Sequence, residues 1–438
     1  MESVLETVRI ERYPAYKFSG AEWLGEIPEH WVVTKVKNVF RLVTEPSPKN
    51  NDFELLSVYT DIGVKPRKEL EERGNKASTT DGYWFVKKRD IVVNKLLAWM
   101  GAIGVSNYDG VTSPAYDILR AKVQLESNFY HYLFRNEACI SELKKHSRGI
   151  MDMRLRLYFD KFGDIMIPFP DFSEQQKIVS FLDRKTAQID QAIGIKEKQI
   201  ELLKERRQIL IHRAVTRGLN PNAKLKDSGV EWIGKIPEHW KVSRLKNHIE
   251  MLTGFPFKSE KYTNVGIKLA RGINVKEGVF NWEETRCWPK VDKHLERYLI
   301  KEGDILIAMD GSKVGKNFCK VKEEDLPMLL LQRVARLRPT SRLNSSFLFN
   351  HIVNRNFLLW VEMTKTDPMV PHIAPTDIHN FQITIPSLSE QKNISEYIEM
   401  SASKIAIAIS LKEQEIEKLK EYKASLINSA VTGKIKVS

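Results

Sequence analysis

The chain has 438 residues and a mass of 50.7 kDa, which is more than one hydrophobic core usually organises and predicts two or three domains. Hydrophobic residues make up 42% of the sequence and charged residues 29%, a balance that excludes collagen-like and largely disordered proteins. The 69 Lys and Arg residues exceed the 56 Asp and Glu residues, and the resulting charge of +13 favours a polyanion or an acidic protein as partner.

Cysteines and targeting signals give further exclusions. The three cysteines are far apart and form no CxxC pair, so we expect neither a disulfide framework nor a metal site. The start of the chain is polar and acidic, and no stretch approaches the roughly 18 apolar residues of a membrane span. We therefore expect a cytoplasmic protein that contacts no membrane.

The first element along the chain is a tryptophan-rich box that occurs twice. Residues 19–38 contain Ser-Gly-Ala-Glu-Trp-Leu-Gly-Glu-Ile-Pro-Glu-His-Trp and return as residues 228–247 with thirteen of twenty positions identical. Because the box recurs beside unlike segments, we expect it to clip each segment onto a shared frame through buried aromatic rings. Stacking of these rings on bases is the weaker alternative. The rings belong to Trp23, Trp31, Trp232 and Trp240.

Two long helices are predicted after two Ser-Glu-Gln motifs, over residues 171–216 and 387–432. Each carries apolar residues at spacings of 4, 7, 4, 7, 3, 7 and 4, which is typical of a coiled-coil seam, and each would be about 60 Å long. The first stripe is Ile178, Leu182, Ile189, Ile193, Ile200, Leu203, Leu210 and Ala214, and the second is Ile394, Ile398, Ile405, Ile409, Ile416, Leu419, Leu426 and Ala430.

The helix ends and one interruption of each stripe are also readable. Ser173 with Gln176 predicts a capping box, and Ser389 predicts a cap alone. Gly218 and Gly433, each after Ala-Val-Thr, predict the C-terminal stops. Lys196 and Lys412 interrupt the stripes at equivalent points, either to fix the register or to reach water.

Between these repeats lie two segments with little mutual similarity, residues 39–167 and 248–383. Both combine short apolar runs typical of buried strands with amphipathic helical patterns, and therefore predict mixed α/β domains. Residues 217–227 form a polar joint between the halves. Constant frame, variable segment and long helix thus follow one another twice.

These motifs identify a family resemblance along essentially the whole chain. They are the twin boxes, the twin Ser-Glu-Gln helix starts and the Gly-Asp-Ile strand at Gly303. The first variable segment adds Asn94-Lys-Leu, Trp99, Gly101-Ala-Ile-Gly and the run from Asp109 to Tyr116, while Arg89-Asp90 stands where Gly-Asp is usual. The chain resembles the specificity subunit of a Type I restriction-modification system.

The resemblance implies a DNA-reading subunit without catalytic residues. Two target-recognition domains would each read one half of a split, asymmetric double-stranded DNA site, and two antiparallel long helices would set the spacer. Each frame would dock one methyltransferase subunit, with room for two motor-nuclease subunits. S-adenosylmethionine and ATP would bind only in those partners, and this chain would hold no cofactor.

The expected fold class is α+β, with two mixed α/β target-recognition domains linked by two long antiparallel helices that form a coiled coil, and a pseudo-twofold from tandem duplication. The expected division of the chain is an N-terminal extension over 1–18, the first target-recognition domain over 19–170, long helix 1 over 171–216, the joint over 217–227, the second target-recognition domain over 228–386, long helix 2 over 387–432 and a tail over 433–438.

Candidate DNA contacts are the basic, aromatic and small polar residues of the variable segments, because Arg suits guanine edges and Lys suits phosphates. The candidates in the first segment are Lys87, Lys88, Arg89, Lys95, Trp99, Ser113, Tyr116, Arg148, Arg154 and Arg156. Those in the second are Lys258, Arg271, Arg286, Gly311, Ser312, Lys313, Lys316 and Arg333. The loop Asp310-Gly-Ser-Lys-Val-Gly-Lys316 departs from a nucleotide-binding P-loop in spacing, and it is either a DNA contact or a tight turn.

Two other functions stay open. The chain is a candidate for a coiled-coil scaffold whose paired domains bind proteins, or for an enzyme with an unrecognised active site. The sequence contains no methyltransferase box of the Asn/Asp-Pro-Pro-Tyr/Phe type, no glycine fingerprint for S-adenosylmethionine and no Gly-x-Ser-x-Gly motif. Neither alternative explains the duplicated frame as well as a DNA-reading adaptor does.

Overall fold

The computed structural model describes residues 11–69, 80–149, 155–366, 369 and 371–437. They form two compact units: unit 1 runs to Lys196 and resumes at Glu413, and unit 2 spans Glu197–Lys412. The division therefore cuts both long helices near their middle, whereas the sequence predicted boundaries at the helix ends. The reason is that each half-helix completes the hydrophobic core of one domain.

Unit 1 is built mainly from short strands. The strands are β1 (Tyr16–Phe18), β2 (Glu26–Pro28), β3 (Val32–Lys35), β4 (Phe40–Val43), β5 (Leu56–Tyr59), β6 (Gly63–Pro66), β7 (Trp84–Val86), β8 (Ile91–Asn94), β9 (Ile103–Val105), β10 (Gly110–Thr112), β11 (Tyr116–Ala121) and β12 (Met166–Phe169). The helices are α1 (Val36–Val39), α2 (Ser127–Phe134), α3 (Glu137–His146), α4 (Phe159–Phe162) and α5 (Phe172–Arg217), with 3₁₀ turns at Arg67–Glu69 and Ala98–Met100.

The central sheet of unit 1 is antiparallel, with the strand order β4-β11-β8-β9. Its middle strand β8 is buried on both faces, since Ile91 and Val93 pack into the main core while Val92 packs into a second cluster with Leu56 and Val64. Successive side chains of a strand point to opposite faces, so a strand between two layers reads as a continuous apolar run. This burial explains the Ile-Val-Val pattern.

Unit 2 repeats this plan with additions. Its strands are β13 (Leu225–Asp227), β14 (Lys235–Pro237), β15 (Lys241–Arg244), β16 (Ile249–Thr253), β17 (Ile267–Ala270), β18 (Cys287–Trp288), β19 (Ile305–Ala308), β20 (Phe318–Lys320), β21 (Met328–Leu330), β22 (Val334–Pro339) and β23 (Gln382–Ile385). Its helices are α6 (Ser345–Val353), α7 (Arg355–Thr364), α8 (Pro375–Asn380) and α9 (Leu388–Val431), with 3₁₀ turns at Leu245–Asn247, Ser259–Lys261, Lys293–Tyr298 and Glu323–Asp325.

The two units share one scaffold despite their unlike sequences. The order β16-β22-β19-β20 in unit 2 matches β4-β11-β8-β9 in unit 1, and all these pairings are antiparallel. Unit 2 adds the sheet β18-β17-β21, in which β17 and β21 run parallel. The residues predicted as a joint, 217–227, include β13, which pairs with β14 as β1 pairs with β2. The joint is therefore part of the second frame.

An acidic residue at the start of the central strand is buried in both units. Asp90 accepts from Nε and Nη2 of Arg120 at 3.0 and 2.8 Å, and Asp304 accepts from Nε and Nη2 of Arg338 at 2.7 and 2.6 Å. The two aspartates are 3% and 1% exposed. Each pair ties the central strand to its neighbour, because β11 carries Arg120 and β22 carries Arg338.

The long helices begin earlier than their predicted caps. Helix α5 starts at Phe172, where Asp171 Oδ1 accepts from the Glu174 N–H at 2.9 Å. Helix α9 starts at Leu388, where Ser387 Oγ accepts from the Glu390 N–H at 3.3 Å and the Glu390 carboxylate accepts from the Ser387 N–H at 3.1 Å. The caps predicted at Ser173 and Ser389 are wrong, because the residue directly after each proline already supplies an acceptor for the first turn.

The two apolar stripes face inward, as predicted, since every member is buried or half-buried. In unit 1, Lys423 Nζ contacts Asp190 Oδ1 at 2.7 Å and Lys196 forms an ion pair with Glu415, so residue numbers rise along one helix as they fall along the other. In unit 2, Ile211 of α5 and Ile398 of α9 line one cavity of about 290 Å³. The antiparallel pair is confirmed, and the Lys196 contact favours a role in register.

Arg89 occupies a backbone position that favours glycine. Its φ is +76°, and the equivalent residue of unit 2 is Gly303 with φ +80°. Both carbonyls accept from the first serine of the following helix, Ser127 in unit 1 and Ser345 in unit 2. The turn geometry is thus shared, and in unit 1 it is imposed on a residue with a Cβ atom.

Replacing Arg89 by glycine is expected to stabilise the protein by about 1 kcal/mol, because a left-handed conformation costs a non-glycine residue that much. Thermal unfolding followed by circular dichroism measures the change. Gly303→Ala is the matched control and should lower stability by a similar amount. A lower melting temperature for the Arg89→Gly variant would contradict this account of the turn.

Candidate nucleic-acid interface

Two of the four indole rings in the tryptophan boxes are fully buried, one in each box. Trp31 is 0% and Trp240 is 1% exposed, whereas Trp23 and Trp232 are half-buried at the rim of each core. The prediction that all four are buried is therefore wrong for Trp23 and Trp232. Trp23 Nε1 nevertheless donates to Met166 O at 3.1 Å, so this ring is fixed and stays a frame residue rather than a free stacking platform.

The histidine of each box is held by the first turn of the long helix in its own unit. His30 Nε2 lies 3.0 Å from Glu174 Oε2, and His239 Nε2 lies 2.9 Å from Glu390 Oε1. Glu174 also accepts from the Tyr13 hydroxyl at 2.6 Å, and burial together with this bond raises the pKa of Tyr13. In unit 2 the Trp240 Nε1–H replaces the tyrosine as donor, at 3.2 Å.

The contact of Glu390 makes unit 2 sensitive to acid. Burial raises the pKa of Glu390, but hydrogen bonds from His239, Trp240 and Ser387 outweigh it and lower the pKa to about 2. A carboxylate whose pKa is depressed by folding stabilises above its unfolded pKa of about 4.5, and this stabilisation is lost as the pH falls toward 2.

We expect Glu390→Gln to be less stable than the wild type at pH 7, with the difference shrinking below about pH 4.5 and closing as the pH approaches 2. Urea denaturation at each pH measures this difference. Glu238→Gln, at an exposed position of the same box, is the matched control and should follow the wild type throughout. A gap that persists unchanged at pH 3 would show that the carboxylate charge is not what stabilises the contact.

A glutamine from each helix start connects the frame to the variable domain. Gln175 Oε1 accepts from the Glu126 N–H at 2.8 Å, and Gln391 Oε1 accepts from the Asn344 N–H at 2.7 Å. Both glutamines are 0% exposed, and Glu126 and Asn344 are the N-terminal caps of α2 and α6. Both glutamines belong to the repeated Ser-Glu-Gln motif, and their recurrence at equivalent positions is the sequence signal for this contact.

The predicted DNA contacts of unit 1 lie at two opposite ends of β8. Lys87, Lys88 and Arg89 are exposed in the turn before the strand, on the side of Ser127 and the frame. The other described candidates lie at the far end of β8. Lys95 directly follows the strand, and the segment that carries Arg156 lies beside it because the Leu157 N–H donates to Lys95 O. One flat surface cannot contact both ends, so the candidates of unit 1 do not form one site.

Several candidates at the far end of β8 already have partners. Lys95 Nζ lies 3.2 Å from Asp117 Oδ1 and donates to Pro114 O at 2.9 Å. Trp99 Nε1 donates to Leu96 O, and Lys144 Nζ lies 5.1 Å from the Trp99 ring centroid.

The remaining candidates of unit 1 divide by exposure. Ser113 and Tyr116 are half-buried, and burial raises the pKa of Tyr116. Arg148 and Arg156 are exposed and face each other across a β-bridge, whereas Arg154 lies outside the described residues.

Some of the predicted contacts of unit 2 lie at one end of the central sheet, where the loop from Gly311 to Lys316 follows β19 and Arg333 directly precedes β22. The loop from Gly311 to Lys316 is a succession of turns, closed by the bonds of Val314 N–H to Gly311 O and of Lys316 N–H to Lys313 O. Ser312, Lys313 and Lys316 are exposed on it. The tight-turn interpretation of this loop is correct, and it leaves the lysines available to a polyanion.

The remaining basic candidates of unit 2 differ in availability. Arg271 is 22% exposed and is held by Glu284, whose carbonyl accepts from Nη1 at 3.3 Å. Lys258 is exposed, as is Arg286, which donates to Thr285 O at 3.2 Å. Arg333 is 61% exposed and lies 3.5 Å from Asp310 Oδ2 through Nη1.

The cysteines and the acidic and histidine side chains of the described ranges do not form a metal site. The structure there contains no group of three or more His, Cys, Asp or Glu residues suited to a metal ion, and the three cysteines are buried free thiols. Among the same residues, no helix combines the length and apolarity of a membrane span.

The comparison with protein families decides the identity of these two units. The model of the Type I restriction modification DNA specificity domain matches residues 28–205 and again residues 237–421. The chain belongs to this family. Its role is that of the DNA specificity component of a Type I system, and not of a catalytic component. The predicted resemblance and the tandem fold are therefore confirmed.

Individual relatives agree with this assignment. The chain is 25% identical over 426 residues to the Type I restriction enzyme MjaVIII specificity subunit of Methanocaldococcus jannaschii, covering 94% of both chains. It is 32% identical over 164 residues to the EcoAI specificity subunit of Escherichia coli, covering 36% of this chain and 28% of that one.

Solved structures share the fold of this specificity chain. The HsdS subunit from Thermoanaerobacter tengcongensis matches with a TM-score of 0.55 and 17% identity over 93% of this chain and 98% of that one. A chain from a study of complex assembly and conformational transition of the type I R-M system matches with a TM-score of 0.71, also at 17% identity, over 92% and 98%.

Proposed function

We propose that each unit of this specificity chain reads one half of a bipartite, asymmetric double-stranded DNA site. The observation that carries the proposal is one sheet scaffold, used twice, with unlike residues at the same sheet end. Directly before β11, unit 1 has Pro114 and Ala115. Directly before β22, the equivalent strand of unit 2, the residues are Gln332 and Arg333. Different side chains at equivalent positions would read different bases.

We further propose that the antiparallel helices α5 and α9 set the length of the spacer and, with the frames, dock two methyltransferase subunits. Exposed apolar side chains on the outer faces of both helices in unit 2 support docking, because a solvated coiled coil does not need them. They are Leu202, Ile209, Met400, Ile407 and Leu411. Two motor-nuclease subunits would join the same complex. S-adenosylmethionine and ATP would bind in the partner subunits.

An exchange of the variable segment tests modular reading. Residues 248–383 are replaced by those of another specificity subunit, and N6-methyladenine is mapped across the genome of cells that contain the methyltransferase partner. We expect a split motif in the wild type and a change in one half-site only in the exchange variant. A change in both half-sites, or no split motif with the wild-type chain, would contradict the proposal.

Shortening both long helices by one heptad tests the spacer. Seven helical residues span about 10 Å, which corresponds to about three base pairs of DNA. We expect the methylated motif to lose about three spacer base pairs, or methylation to stop while both units remain folded by circular dichroism. An unchanged spacer in a folded, active complex would show that the helices do not measure it.

A further inference from the structure

Arg333 is held in a backbone conformation that a residue other than glycine does not favour. The residues Leu331, Gln332, Arg333 and Val334 form a turn closed by the bond of Val334 N–H to Leu331 O at 3.2 Å. Arg333 is the third residue of this turn and has φ +78°, a value that suits glycine at that position. The strain of a non-glycine residue in this region points to a demand on the side chain.

The backbone of Arg333 is fixed independently of its side chain. Its carbonyl accepts from the Met309 N–H at 2.9 Å, which ties the turn to the residue that follows β19. Glycine could make the same bond without strain. The turn itself does not require an arginine. We therefore look for the role of the guanidinium in a contact outside the turn.

The guanidinium of Arg333 is exposed, and among the described residues it has one anionic neighbour. Nη1 lies 3.5 Å from Asp310 Oδ2, too long for a hydrogen bond but close enough for an ion pair that orients the planar group. Over the described parts of the chain, this guanidinium makes no hydrogen bond to the protein. Its donors remain open to an external acceptor.

Three other arginines of unit 2 are engaged by the fold. Arg338 is bonded to Asp304, Arg336 donates to Arg297 O at 3.1 Å, and Arg271 is held by Glu284. Beside Arg333, a Cβ added to Gly311 would meet no atom within 4 Å, so a duplex could approach the backbone there. Unit 1 has Ala115 at the position of Arg333 and no equivalent guanidinium.

We propose that Arg333, oriented by Asp310, reads the O6 and N7 edge of one guanine in the half-site bound by unit 2. A planar fork of donors matches these two acceptors, and a carboxylate beside it presets the angle of the fork. The inference rests on the proposed bipartite function and adds the base class and the residue. It also assigns Asp310 as a positioning residue, because it acts through Arg333.

The test uses the complex with the methyltransferase partner and a library of sites in which each position of both half-sites is varied. Arg333→Gly keeps the turn and removes the fork. We expect discrimination in favour of guanine to fall about 5- to 150-fold at one position of one half-site, with the other half-site unchanged. Asp310→Asn should weaken discrimination at the same position and to a smaller degree.

Two controls separate the possible failures. Lys313→Ala, on the neighbouring loop, should lower methylation of all sites alike if it contacts a phosphate. Arg333→Gly should also raise the melting temperature, which shows that lost discrimination is not misfolding. A uniform loss of methylation at all sites in Arg333→Gly would overturn the inference. So would a loss of discrimination at a position where the wild type does not prefer guanine. A wild type without a split motif would instead overturn the bipartite function.

Discussion

Replacing Asp304 by alanine is expected to destabilise unit 2 by about 3–5 kcal/mol. The carboxylate is 1% exposed and accepts two hydrogen bonds from Arg338 and one from the Lys301 N–H at 2.7 Å. Removing it leaves a guanidinium without its anion at the start of the central strand, and an uncompensated charge in such a place is costly. Hydrogen exchange of β19 and β22 measures the effect, and the rates should rise at least about a hundredfold.

The duplicated scaffold supplies a matched control for this prediction. Asp90→Ala removes the equivalent carboxylate of unit 1, but Arg120 keeps a second anion, Glu45, at 3.0 Å from its Nη1. We therefore expect a smaller loss there, about 2–3 kcal/mol. The double replacement of Asp304 by leucine and Arg338 by methionine should recover most of the stability. Equal losses for the two alanine variants would show that Glu45 does not compensate.

Replacing Gly433 by alanine is expected to destabilise unit 1 by about 2–4 kcal/mol. The residue ends α9 with φ +74°, and an added Cβ would lie 2.3 Å from Pro28 Cδ and 3.1 Å from Trp31 Cη2. The proline ring cannot rotate away, so the box must shift. Left-handed strain and the clash therefore add. Urea denaturation followed by circular dichroism and by exchange at β2 measures the loss.

Gly218, at the end of α5, is the equivalent residue of unit 2 and serves as the control. Its φ is +70°, but an added Cβ would lie 3.1 Å from Trp240 Cζ2 and would meet no atom closer than that. We expect Gly218→Ala to cost about 1–2 kcal/mol, mainly from backbone strain. A loss as large as that of Gly433→Ala would mean that the contact with Pro28 is not the source of the difference.

The parts of the fold that could be predicted are those encoded in spacing along the chain. The heptad stripes predicted inward-facing seams, because burial on one face of a helix requires apolar residues at that period. The repeated box predicted a common frame, and the glycines after Ala-Val-Thr predicted the left-handed helix ends. Each signal is local or periodic.

Other features depended on which segments meet in space. Trp23 and Trp232 belong to the same boxes as the fully buried Trp31 and Trp240, yet they lie at the rim of each core. The helix caps are Asp171 and Ser387 and not the predicted Ser173 and Ser389. Each start has two nearby side chains that can accept from the first turn, and the path of the chain decides which one does. The central strands are buried on both faces by layers that come from distant segments.

The sequence by itself determined that this protein is a duplicated chain with a frame of paired helices, because repeats and periodic apolar residues are encoded along the chain. Only the tertiary structure decided which basic residues are available to DNA. Arg271 is held by Glu284 thirteen residues away, Lys95 is paired with Asp117, and Arg333 keeps an exposed guanidinium. Electrostatic pairing depends on the distance between groups in space, and no periodicity of the chain encodes that distance.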